Sequence, residues 1–149
     1  MRFLINEKTS TAKQISNTAI VTGTPIIWTG AAAPTADEIA AAITGASLVA
    51  AQAAKIASLG AALKSALLAE FNSLTPAQQY MLNGARLALN DDLSAGNMTN
   101  AIAGVTSYIL PDPSLAAAQS TVLGILNTYA PKFAAVAAAA TVDAVNAIA

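Results

Sequence analysis

Neither cysteine nor histidine occurs among the 149 residues. Without cysteine there can be no disulfide framework, thiolate nucleophile or zinc–thiolate site. Without histidine the commonest metal ligand and general base are missing. Charge is scarce too: charged residues make up 10% of the chain, where about a quarter is usual. The basic residues (Arg2, Lys8, Lys13, Lys55, Lys64, Arg86, Lys132) are scattered and the formal net charge is −1, so a nucleic-acid footprint is not expected.

Catalytic motifs are equally thin. There is no Gly-x-Ser-x-Gly elbow, phosphate-binding loop or dinucleotide glycine fingerprint. Ser10 to Lys13 matches Ser-x-x-Lys, but the companion Ser-Asp-Asn and Lys-Thr-Gly elements are absent, and the match is read as chance in a polar loop. The adjacent acids Asp37–Glu38 and Asp91–Asp92 could hold a divalent cation or serve as acid and base. Both pairs fall at expected helix starts, where capping and the helix dipole favour acids. No enzyme, cofactor or metal site is expected.

The opening MRFLINEKTS carries Glu7 and Lys8 where a secretory signal has its apolar core, so no export signal is expected. The longest uncharged runs, 14–36, 93–111 and 113–131, each contain proline and several Asn, Gln, Ser or Thr, which argues against a membrane span.

What the chain has in quantity is alanine, roughly a quarter of its residues, within a hydrophobic share of 55% and a mean hydropathy of +0.55. Alanine buries little area but loses no side-chain entropy in a helix, so alanine-rich helices gain stability by close approach. The length suits one core, and a surface so short of charge calls for partners.

The expected fold is mainly α within the α+β class: an N-terminal β segment over 1–30, then an alanine-rich bundle of about five helices over 31–149. RFLIN (2–6) alternates as a short strand. AIVT (19–22) and IIWT (26–29) read as a hairpin around Gly23, Thr24 and Pro25, with RFLIN as a third strand. Residues 7–18 read as a polar connection. Terminal strands of this kind either complete their own sheet or add to a neighbour's.

Thr35 to Glu38 is a capping box that starts a helix, with a break or kink expected near Thr44 and Gly45. From Ala46 to Phe71 runs the central seam: Val49, Ile56 and Leu63 recur every seven residues with Leu59 and Ala66 between them. Gln52 interrupts the apolar pattern, either fixing register between copies or lying at the solvated end of the face. Gly60, costly in mid-helix, suggests a closely passing backbone.

Thr75, Pro76 and Gln78 start the next helix, expected to end near Asn90 with Met81, Ala85 and Leu89 buried and Arg86 outward. Asn90 to Asp92 then cap a helix carrying Met98, Ile102, Val105 and Ile109, which Pro111 stops. Asp112 and Pro113 start a helix with Leu115, Val122, Leu126 and Tyr129 on one face. Pro131 opens the last, from Lys132 to about Ile148, with Phe133, Val136, Ala140 and Ile148 inward.

The candidate functional residues are therefore contact residues. Phe3, Ile5, Ile26 and Trp28 on the strands, and Val49, Ile56, Leu59 and Leu63 on the seam, form either a core or an interface. With its short strands (RFLIN, AIVT, IIWT), small-residue bridge GAAAPTA and charge-poor helical remainder, the chain resembles the accessory proteins of tailed-bacteriophage virions: head decoration proteins, head-fibre bases and tail adaptors. The resemblance implies a symmetric homo-oligomer, with a trimer as the symmetry to test. It also implies docking on other structural proteins, a virion location, and no catalysis. The alternative is a membrane-active or surface-associated secreted helical protein whose apolar helices rearrange on lipid.

Overall fold

The computed structural model describes residues 1–108, 113 and 115–149. It is a mainly α, α+β fold: three short strands, β1 (Arg2–Asn6), β2 (Thr11–Ile15) and β3 (Ile26–Thr29), precede five helices among the described residues. The helices are α1 (Ala36–Ser73), α2 (Pro76–Ser94), α3 (Met98–Ser107), α4 (Leu115–Ala138) and α5 (Val142–Asn146). β1 lies central in an antiparallel sheet of order β2-β1-β3.

The second strand is TAKQI, not AIVT. Residues 7–10 close a tight hairpin in which Asn6 Oδ1 accepts from the Lys8 and Thr9 amides at 3.0 and 3.4 Å, and Ser10 takes φ 49°. That hairpin fills one edge of β1 and IIWT fills the other, so AIVT has no strand position left. Ile20 is 93% exposed. Arg2 Nη1 donates to the carbonyls of Asn17 and Ala19 at 2.8 and 3.3 Å, pinning this segment beside the sheet.

Cross-strand register pairs Phe3 with Trp28 and Ile5 with Ile26, which puts these four side chains on one face. Phe3 and Ile5 are buried, and the sheet packs on α1 through β2 and β3. The Trp28 indole lies so close to Gly30 that a Cβ there would sit 2.9 Å from Nε1; only glycine fits.

α1 is one unbroken helix of 38 residues, about 57 Å long at the α-helical rise. The Thr35 and Glu38 capping box starts it, the Thr35 amide donating to Glu38 Oε2 at 2.7 Å. Gly45 does not break it: alanine and aliphatic residues on both sides are strong helix formers, and one glycine costs only about 1 kcal/mol. The expectation of a backbone against Gly60 also fails within the chain, since a Cβ there would meet nothing within 4 Å.

α2 starts at the Thr75 and Gln78 capping box and continues past Asn90 to Ser94. Its stop signal is Gly96, at φ 72°, rather than the acids. Asp91 and Asp92 thus lie in the last turn of α2 and cap nothing; Asn97 caps α3, its side chain accepting from the Asn100 amide at 3.1 Å. Arg86 does not face outward either. Its guanidinium carbon stands 4.9 Å from the Phe71 ring centroid, toward the bundle.

Pro131 lies inside α4 and opens no helix. Leu126 and Val136, both completely buried, anchor the helix on either side of the proline, and this burial outweighs the missing amide donor. A separate short helix follows, capped by Thr141, with Val145 buried; of the inward face expected after Pro131, Ala140 is exposed and Phe133 and Ile148 are half-buried. Ile109, Pro111 and Asp112 lie outside the described residues.

Among the described residues no helix has a basic residue in its last turn. Glutamine amides serve instead at three helix ends. Gln79 Nε2 donates to Phe71 O and Leu74 O, closing α1 at 3.2 and 3.1 Å. Gln119 Nε2 donates to Val105 O and Tyr108 O, closing α3. Gln52 Nε2 donates to Val136 O and Ala139 O at 3.0 and 3.2 Å, closing α4. Each satisfies orphan carbonyls that in most proteins go to water, a glycine cap or a cation.

Candidate assembly interface on the first helix

The side of α1 that meets α4 contains Gln52, Leu59 and Leu63, the two leucines being 6% and 3% exposed. Successive residues on a helix advance about 100°, so Val49 and Ile56 lie about 80° and 60° round the cylinder from Leu59, at the edge of the side that meets α4. They are 65% and 45% exposed. With Ala53, which is also exposed, they form an uncharged apolar stripe over two turns.

At its C-terminal end the stripe enters a groove of about 650 Å³. Ile56 and Gly60 of α1 form one wall, Leu93 and Met98 around the α2–α3 turn another, and Phe133 of α4 the floor. Lys64, Asn90 and Ser94 are its polar rim. Stripe and groove thus share Ile56 and make one continuous apolar surface, with small residues at Ala53 and Gly60 that admit close approach of another helix.

The eight candidate contact residues therefore divide. Phe3, Ile5, Leu59 and Leu63 are buried in the chain, Ile26 and Trp28 are half-buried against α1, and Val49 and Ile56 remain on the surface. Sequence reasoning missed Met98 and Phe133 as groove-lining residues, having placed Met98 on an apolar helix face and Phe133 on a buried one. It also missed Tyr80 and Leu87, exposed to 86% and 51% at seven-residue spacing on α2.

The surface as a whole is large. The chain exposes 9145 Å², about 2,100 Å² more than the roughly 7,000 Å² scaling gives a compact monomer of this mass. A standard protein–protein interface removes about 800 Å² from each partner. Only eleven described residues are buried, and no polar or charged residue is among them.

α1 is also long and apolar enough to cross a membrane, and little of its most apolar window is buried. Among the described residues no three His, Cys, Asp or Glu side chains gather where they could hold a metal ion. Ser10 sits in the β1–β2 turn and Lys13 in β2. Comparison of the chain with protein families, with characterised proteins and with solved structures gave no match.

Proposed function

We propose that this chain is a non-enzymatic structural subunit that assembles with copies of itself through the outer face of α1. The observation that carries the reading is the continuous apolar surface from Val49 through Ile56 into the groove at Gly60, on a chain whose exposed area exceeds that of a compact monomer. Copies are favoured over lipid because Ala53 and Gly60 leave room on this face for a second helix to approach closely, and because Lys64 is the one basic residue lining the groove, where lipid insertion rewards a strongly basic border. The resemblance in composition to accessory proteins of tailed-phage virions extends the proposal to a homo-oligomer docked on a larger particle such as a capsid or tail.

Light scattering across a concentration series tests it. The wild-type chain is expected to run as an oligomer, and the double variant Val49→Lys/Ile56→Lys as a monomer with unchanged helicity and melting. A wild-type monomer at the highest reachable concentration overturns the proposal. The membrane reading has its own observation, the length and hydropathy of α1. Co-sedimentation of the wild type with liposomes, lost in the same double variant, would move the assignment there.

A further inference from the structure

Further along α1, toward its C-terminal end, lies a second, smaller cavity of about 150 Å³, walled by Leu67 and Phe71 of α1, Leu82 and Leu89 of α2, and Leu115 and Val122 of α4. It exists because α2 packs on α3 and stands off α1, so that no α2 residue is buried. A cavity of this size, with Leu and Phe over much of its wall, is large enough to take up a benzene-sized molecule.

Its polar equipment is uneven. The Tyr108 hydroxyl donates to Met81 O at 3.3 Å, and the Gln119 amide is committed to Val105 O and Tyr108 O. Arg86 is different. Its Nη2 donates to Asn83 Oδ1 at 3.1 Å and its plane lies over Phe71, but its Nε is buried with no acceptor. A buried, unpaired N–H on a cation is costly, and a carboxylate meets a guanidinium edge with two parallel hydrogen bonds. Lys64 adds a second positive charge to the lining and Glu70 one negative, leaving the lining net positive.

We propose that this cavity binds a small carboxylate with an apolar body about the size of a benzene ring, its tail among Leu67, Leu82 and Leu115 and its carboxylate on Arg86. The cavity shares Lys64 and Asn90 with the groove but neither Val49 nor Ile56, so the substitutions that test assembly leave its apolar walls intact. Arg86 lines the cavity with its Nε enclosed, so ligand binding turns the side chain to present that edge.

Isothermal titration of the full chain with hexanoate and phenylacetate, beside hexanol and benzyl alcohol as shape-matched neutral probes, tests this. Both carboxylates are expected to bind, with the alcohols at least tenfold weaker. Arg86→Gln should weaken the carboxylates tenfold or more and leave the alcohols unchanged, while Leu89→Trp, which fills the cavity, should abolish all four. Carboxylates that raise the wild-type melting temperature more than the alcohols do support the site without recourse to a variant. No binding by either carboxylate, alcohols binding as tightly as acids, or full carboxylate affinity in a folded Arg86→Gln variant overturns it.

Discussion

α4 and α1 are both alanine-rich and differ in how deeply they are buried. α4, with 24 residues, completely buries Leu115, Leu126 and Val136; α1, with 38, buries only Ile39, Leu59 and Leu63. The difference arises from neighbours. α4 is flanked by both α1 and α3, whereas α1 packs on α4, α5 and the sheet and leaves Val49 and Ile56 exposed. An alanine-rich apolar helix is therefore a core element only where the chain supplies a second layer. Where it does not, the same sequence chemistry makes a surface that favours association.

The sharpest test of this contrast pairs one truncation from each helix. Leu126→Ala, at a fully buried site, should cost about 3 kcal/mol in urea titration, from lost transfer energy and the cavity left behind. Val49→Ala, measured in dilute solution, should change stability by under about 0.5 kcal/mol, as exposed substitutions do. A large cost at Val49 under dilution would mean that α1 has an intrachain neighbour on its outer side and would remove the contrast.

Next in size is the link between the two helices. Gln52→Leu keeps the bulk of the side chain but strips the C-terminal end of α4 of two amide hydrogen bonds. A loss of about 1–2 kcal/mol is expected, with faster amide exchange across the last turn of α4 and onward into α5. An unchanged exchange pattern would show that α4 ends without needing α1.

What could be read from sequence follows the range of the interaction. The Thr35–Glu38 and Thr75–Gln78 boxes were both legible because a capping box lies wholly within four residues. The alternation of Phe3 and Ile5, the strand IIWT and the number of helices were legible for the same reason. The partner of β1 was not: TAKQI is polar and has weak strand character, and it pairs because a tight turn puts it beside β1. Pro131 misled because a proline in a helix interior and one at a helix start look alike until Leu126 and Val136 are known to be buried on both sides of it.

Glutamine capping by Gln52, Gln79 and Gln119 left no local signal for the two that act at a distance. Gln52 reaches residues 84 and 87 positions away in the chain. For the candidate interface the limit is deeper still. Val49, Ile56 and Leu63 satisfy the same seven-residue pattern whether the neighbour is α4 or another subunit, and only the fold shows that Leu63 is covered while Val49 and Ile56 are not.

The smallest effect bears most directly on that uncovered side. A Cβ added at Gly60 meets nothing within 4 Å, and the residue sits inside a regular helix, so Gly60→Ala should stabilise the isolated chain by about 1 kcal/mol through helix propensity alone. Gly60 also borders the groove, where the absence of a side chain leaves room for another backbone. If a copy occupies that room, the added methyl separates the helices and weakens assembly in light scattering even as it raises the denaturation midpoint of the monomer. Opposite signs in the two measurements would put the contact at Gly60. A gain in both would move it along the stripe toward Val49, where the surface is apolar but not indented.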